Sequence, residues 1–87
     1  ARPTLDQILA AVSEASGVST KKLLNKNVAP NEFQVAIYLL RRSANLPLRE
    51  VASLTKISQG RISQIQKKIE DAGGLSKVFY WARKLEN

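Results

Sequence analysis

Cysteine and histidine are both absent from this 87-residue chain. Their absence excludes disulfide bonds and removes the usual ligands of a zinc site. It also removes the commonest general base and the commonest thiol nucleophile of enzymes. Glu70 and Asp71 are adjacent, so they project in different directions from a helix and do not form a catalytic pair. We therefore expect no metal, cofactor, small-molecule substrate or catalysis in this domain, which leaves open that a parent protein is an enzyme.

Aromatic residues and long apolar runs are also scarce. Aromatic residues make up 6% of the chain, and none is interleaved with the basic residues of its middle part, as an RNA-stacking surface would need. No apolar run approaches the ~20 residues that cross a bilayer, and no signal peptide opens the chain, so no membrane partner is expected. Methionine is absent even at position 1, which predicts a domain excised from a longer protein.

The chain does contain enough apolar material for one core. Hydrophobic residues account for 44% and charged residues for 24%, which is typical of a globular domain. A chain of this length has no room for a second core. We therefore predict that residues 1–87 form one domain.

Positive charge is concentrated in the middle of the sequence. The net charge of the chain is +7, and residues 41–68 hold seven basic residues against Glu50 alone. Fixed cations at this density repel each other unless a partner neutralises them, so the concentration indicates a polyanionic partner. A solvated basic surface without a partner is the alternative.

Helical periodicity runs along the chain, with no strand pattern of period two. Thr4 and Gln7 form a predicted capping box, and Gly17 is the expected end of that first helix. Asn31 is the predicted cap of a central helix with a wide apolar face. The pattern predicts an all-α fold, a compact bundle of about five to six helices. The predicted helices cover residues 5–15, a short stretch after Ser19, residues 31–42, Leu48–Leu54, Ser58–Asp71 and residues 75–85.

The segment from Leu48 to Ile69 has the layout of a helix-turn-helix. Two closely crossing helices need a small residue where they touch, and Ala52 stands there. Ile57 follows the turn and is expected to enter the core. Lys56 occupies a turn position that glycine often fills, so a left-handed conformation there would cost ~1 kcal/mol. The inner face of the second helix is anchored at spacings of three and four residues by Ile62, Ile65 and Ile69.

The exposed face of the second helix carries the side chains that read base edges. Arginine pairs bidentately with guanine and glutamine with adenine, while Gly60 allows close approach to a duplex. Serine and lysine suit phosphates. Double-stranded DNA, with the recognition helix in the major groove, is therefore the predicted partner, and RNA is a weaker candidate. The predicted base-reading residues are Ser58, Gln59, Gly60, Arg61 and Gln64; the predicted phosphate-contacting residues are Lys26, Arg42, Arg49, Lys56, Ser63, Lys67 and Lys68.

A family resemblance extends from Thr4 to Glu70. It rests on the apolar pattern of the first helix, on Val18-Ser19 and Leu23-Leu24, and on the segments 33–39, 48–51 and 62–70. In these segments the chain resembles the C-terminal DNA-binding domain of the bacterial replication initiator DnaA, of the Trp-repressor-like helix-turn-helix group. The same type of domain is appended to REP-associated tyrosine transposases. The resemblance implies a Trp-repressor-like fold, a cytoplasmic, nucleoid-associated bacterial setting and duplex DNA as partner.

The chain departs from the initiator pattern at two places. The recognition helix of the initiator opens with Asp-His-Thr-Thr, and the corresponding residues here run from Ser58 to Arg61. The Arg-rich loop before the central helix is here residues 25–30, with Lys26 alone. These differences predict a target other than the origin box. A transposase-like or regulatory protein is therefore a better expectation for the parent than a replication initiator.

A protein-interaction module that uses the C-terminal amphipathic helix is the alternative function. Tyr80 and Trp81 could contact a protein partner or a second copy, and capping of the core is the other interpretation of these two rings. The role of five basic residues is also open. They could contact phosphates, stabilise the C-terminal end of a helix dipole or form a solvated face; these residues are Lys21, Lys22, Lys26, Arg41 and Arg42.

Overall fold

The computed structural model describes residues 1–85 and confirms the all-α prediction. Five α-helices and two 3₁₀ segments form a bundle, and no strand occurs within this range. None of these helices has the length and apolar character needed to cross a lipid bilayer. In chain order the elements are α1 (Leu5–Ser16), a 3₁₀ turn (Thr20–Lys22), α2 (Pro30–Arg42), α3 (Leu48–Thr55), α4 (Gln59–Asp71), α5 (Leu75–Val78) and a 3₁₀ segment (Tyr80–Leu85).

Helix α1 begins and ends as its sequence predicts. The Thr4 hydroxyl accepts from the Gln7 amide at 3.2 Å, and the Thr4 amide donates to Gln7 Oε1 at 2.9 Å. This capping box satisfies two amide groups that have no partner inside the helix. Gly17, with φ 80°, ends the helix in the left-handed region that glycine adopts without strain.

Helix α2 is the centre of the core, but it does not begin as predicted. Asn31 is not its cap; the helix starts at Pro30, with Ala29 preceding it. Proline suits the first helical position because that position needs no intrahelical amide donor. Helix α2 packs against α1, α3 and α4, and its buried residues are Phe33, Val35, Ala36, Ile37, Leu39 and Leu40.

The predicted helix-turn-helix is formed by α3 and α4. Helix α3 continues to Thr55, one residue beyond the predicted end, and the Thr55 hydroxyl donates to the Val51 carbonyl at 2.7 Å. Lys56 then adopts φ 61° and ψ 31°, so the turn does use the left-handed conformation at a non-glycine residue. Ser58 caps α4, its hydroxyl accepting from the Arg61 amide at 3.1 Å.

Polar contacts fix α4 against α2 at the edge of the core. Half-buried Arg41 donates from Nη1 to the Leu46 carbonyl at 2.7 Å and from Nε to Gln66 Oε1 at 3.1 Å. Arg41 therefore joins α2, the loop before α3 and α4, which determines the direction of the second helix of the motif. Lys68 adds a hydrogen bond to Gln34 Oε1 at 3.2 Å.

The prediction of one continuous helix over residues 75–85 is wrong. Helix α5 ends at Val78, Phe79 is extended with φ −131° and ψ 98°, and the chain continues as the 3₁₀ segment. This segment packs against α1 and buries Ala82 completely. The apolar spacing in the sequence fits one amphipathic helix, but packing against α1 overrides that local preference.

We expect Arg41→Ala to lower the free energy of unfolding by about 1–2 kcal/mol, because its two half-buried acceptors lose a charged donor. Arg42→Ala is the matched control, since its side chain is 59% exposed and forms only a surface ion pair with Glu70. That control should cost less than about 1 kcal/mol. Urea unfolding of both variants measures the difference, and equal losses would contradict the bridging role of Arg41.

We expect Lys56→Gly to raise the free energy of unfolding by up to about 1 kcal/mol. Relief of the left-handed strain outweighs the larger backbone entropy of glycine in the unfolded chain. Ser53→Gly, at an exposed position of α3, is the control and should lower stability by about 0.5 kcal/mol. Thermal unfolding compares the two, and a loss of stability in Lys56→Gly would refute the strain at Lys56.

Candidate nucleic-acid interface

The exposed face of α4 carries all five residues predicted to read bases. Ile62, Ile65 and Ile69 are buried at 0–1% exposure, and this spacing turns the opposite side of the helix to solvent. Each of the five is exposed, and they lie in or just before the first two turns of α4: Ser58, Gln59, Gly60, Arg61 and Gln64. The structure thus brings guanidinium, amide and hydroxyl groups together on one exposed face of the helix.

The fold does not require glycine at position 60. A Cβ built at this position meets only Ser58 Oγ, at 4.0 Å. The residue lies inside α4, where glycine is less favourable than alanine by about 0.5–1 kcal/mol. Packing within the fold therefore does not explain why this position lacks a side chain.

The seven predicted phosphate-contacting residues are also exposed, but two of them have acidic partners. Arg42 pairs with Glu70 at 3.3 Å, and Lys67 pairs with Asp71 at 3.0 Å. Both pairs involve the C-terminal end of α4, so the positive charge there is partly compensated. The remaining members of the set have no ion-pair partner among residues 1–85; the cations are Lys26, Arg49, Lys56 and Lys68.

A groove lies beside the start of α4, and three cations from separate parts of the sequence line it. Lys26 comes from the loop before α2, Lys56 from the helix-turn-helix turn and Arg61 from α4. Among residues 1–85, no acidic residue lines the groove. Its other lining residues are Asn27, Pro30, Phe33, Gln34, Ile57, Ser58 and Ile65. We name this feature the basic groove.

Gln34 and Asn27 belong to the basic groove although sequence reasoning did not select them. Gln34 lies three residues after the predicted cap Asn31, which is the spacing of a capping-box partner. The side chain instead accepts from Lys68 on α4. No local sequence pattern predicts this contact, because it depends on how α2 and α4 cross.

The other residues that the sequence left open as contacts are partly buried in the fold in some cases and exposed in others. Arg41 is occupied by its two internal hydrogen bonds. Trp81 is half-buried, with its ring centroid 6.0 Å from that of Phe79, as expected for a residue that covers the core. Tyr80 is 82% exposed. Lys21 and Lys22 are exposed but do not line the basic groove.

Within residues 1–85, no three His, Cys, Asp or Glu residues are grouped closely enough to hold a metal ion. The chemistry of the surface is therefore that of hydrogen-bond donors and cations on α4 and beside it. Comparison of the chain with protein-family models, with curated proteins and with solved structures gave no significant match.

Proposed function

We propose that this chain binds double-stranded DNA with α4 in the major groove. The observation that carries the proposal is that the exposed face of α4 combines Arg61 and Gln64, whose side chains suit base edges, with Lys68, and neither Arg61 nor Lys68 has an ion-pair partner among residues 1–85. Helix α4 has 13 residues, a length of about 20 Å, and the major groove is about 12 Å wide and accepts a helix.

Arg61 and Gln64 are the proposed centre of base recognition. They lie three residues apart, so their side chains project from neighbouring positions on the same face of α4. Arginine reads guanine and glutamine reads adenine through paired hydrogen bonds, and each such contact contributes about 1–3 kcal/mol of discrimination. Gln59 extends the recognition surface toward the start of the helix.

The proposed phosphate contacts lie around this centre. Arg49, Lys56, Ser63 and Lys68 are exposed on the two helices and the turn of the motif. Arg42 and Lys67 are proposed as weaker contacts, because each first has to leave its carboxylate partner. The DNA is therefore expected nearer the N-terminal part of α4 than its C-terminal end.

A helix of this size reads only about four base pairs, which is too few for useful specificity alone. We therefore propose that the domain acts with another domain or a second copy. The resemblance to the initiator-type domain favours a bacterial transposase-like or regulatory protein, located with the nucleoid in the cytoplasm.

The first test is titration of a mixed-sequence duplex at two salt concentrations. Binding should weaken steeply with salt, with a slope that corresponds to about 4–7 phosphate contacts. Arg61→Ala/Gln64→Ala should lower the affinity for the preferred sequence at least about tenfold and reduce sequence preference, because both paired contacts are lost. Fluorescence anisotropy measures both effects.

Arg83→Ala is the control for the lost charge in this titration. Arg83 is exposed on the C-terminal 3₁₀ segment, outside the proposed surface, so this variant should retain sequence preference. Duplex binding no tighter than about 1 mM at low salt, with no effect of the double substitution, would reject the proposal. In that case the exposed Tyr80 would favour the alternative function, the binding of a protein partner.

Gly60→Ala separates the requirements of the fold from those of DNA binding. The variant should be more stable by about 0.5 kcal/mol, since alanine favours the helix. It should nevertheless bind duplex at least about fivefold more weakly, because the added methyl group overlaps closely approaching DNA.

The control for Gly60→Ala is Ala10→Gly, at an exposed position of α1. It should lower stability and leave affinity unchanged. If Gly60→Ala binds as tightly as the unmodified chain, close approach at position 60 is excluded.

A further inference from the structure

Three aromatic residues follow one another where α5 ends and the C-terminal 3₁₀ segment begins, and the middle one faces solvent. Phe79 and Trp81 are half-buried and pack against the core, with their ring centroids 6.0 Å apart. Tyr80 lies between them in sequence, and its side chain is 82% exposed. The core therefore uses its two neighbours, and the ring of Tyr80 is left open to a ligand.

The 3₁₀ geometry places a cation beside this ring. Side chains three residues apart eclipse each other in a 3₁₀ helix. Ala82 and Leu85 are the buried and half-buried residues of the segment and mark its inner face. Tyr80 and Arg83 have the same spacing and are both exposed, so the guanidinium lies one turn from the tyrosine ring on the outer face.

A second cation, Lys77, approaches the ring from α5. Lys77 is exposed and precedes Tyr80 by three residues, so the two Cα atoms are at most about 11 Å apart. Residues 72–85 contain no acidic residue, and neither Lys77 nor Arg83 has an ion-pair partner among residues 1–85. We name Lys77, Tyr80 and Arg83 the Tyr80 patch; its charge is complementary to an anionic ligand.

The composition of the Tyr80 patch argues against a second copy of the chain. A twofold interface brings the same surface together from both copies. Centred on Tyr80, it would place two lysines and two arginines against each other without a carboxylate among the patch residues. The patch is thus not complementary to itself.

The shape of the surface favours a base over a peptide side chain. Tyr80 lines neither the basic groove nor the shallow groove between α1 and the 3₁₀ segment, which is formed by Ala11, Glu14, Ala15, Lys84 and Leu85. Peptides are bound in grooves or along sheet edges. A nucleotide base needs only an open aromatic face for stacking and a nearby cation for its phosphate.

We propose that the Tyr80 patch binds single-stranded nucleic acid, with one base stacked on Tyr80 and the adjoining phosphates at Arg83 and Lys77. None of the three residues lies on the helix-turn-helix. The proposal therefore goes beyond duplex binding by α4 and does not depend on it. A base inside a duplex is already stacked, so the patch selects an unpaired strand.

Tyr80→Ala tests the proposal, with Tyr80→Phe as the matched control. Fluorescence anisotropy follows a labelled oligothymidine of about 15 nucleotides, the upper end of the usual site size. Tyr80→Ala should weaken binding at least about fivefold because one stacked base is lost, whereas Tyr80→Phe retains the ring and should retain the affinity. Equal affinities of the unmodified chain and Tyr80→Ala would overturn the proposal.

Arg83→Gln tests the phosphate contact, with Lys21→Gln as the control. Arg83→Gln should reduce the salt slope of oligothymidine binding by about 0.7. Lys21 is exposed on the 3₁₀ turn Thr20–Lys22, outside the patch, and its substitution should leave the slope unchanged. Equal effects of the two substitutions would remove Arg83 from the site.

Further arms locate and identify the strand. Tyr80→Ala should leave duplex affinity unchanged, and Arg61→Ala/Gln64→Ala should leave oligothymidine affinity unchanged. If the double substitution abolishes oligothymidine binding while Tyr80→Ala does not affect it, the strand lies on α4 and the proposal is wrong. Oligouridine in parallel supports the patch if its binding depends on Tyr80, and its affinity relative to oligothymidine identifies RNA or DNA as the source of the strand.

Polyglutamate is the probe for an acidic protein partner. The proposal expects its binding to be insensitive to Tyr80→Ala, because no base is present to stack. Polyglutamate binding that depends on Tyr80, together with oligothymidine binding that does not, would assign the patch to an acidic protein segment instead.

Discussion

The burial of Ile62, Ile65 and Ile69 in the hydrophobic core is the constraint on which the rest of the structure depends. These residues hold one side of α4 inside the core, and the helical period then determines which residues face solvent. Arg41 adds a directional contact through Gln66, and Ser58 determines where the helix starts. The position of the proposed base-reading surface is thus a consequence of core packing, since its five residues are all exposed.

Two residues of the proposed interface lower the stability of the fold, and no contact within the described structure compensates for this loss. Lys56 occupies a conformation that favours glycine, and Gly60 occupies a helical position that favours alanine. Lys56→Gly and Gly60→Ala are both expected to raise the free energy of unfolding, so the residues present at these positions are not those that would make the fold most stable. Local conflicts of this kind are expected at functional sites, where a ligand provides the compensating interactions. Their position on either side of Ser58 supports the proposed interface independently of net charge.

Part of the positive charge of the chain is compensated by acidic residues in the fold. The sequence concentrates basic residues in its middle part, but the fold places Glu70 and Asp71 beside Arg42 and Lys67. The same fold brings Lys26 beside Lys56 and Arg61. The cationic surface therefore lies near the start of α4 and extends to the loop before α2, and none of the described residues that line the groove is acidic. Counts along the sequence favour the proposed polyanionic partner, and the tertiary structure determines which cations lie together.

The sequence by itself determined the features that depend on neighbours along the chain. Helical periodicity predicted the all-α fold, and the residues Thr4 and Gly17 predicted where α1 begins and ends, because the contacts at a helix end span only a few residues. Tertiary structure decided the rest. Whether residues 75–85 form one helix depends on packing against α1, which local preference does not contain. The contacts of Arg41 with Gln66 and of Lys68 with Gln34, and the assembly of the basic groove, depend on how α2 and α4 cross, because the groups involved are far apart in sequence.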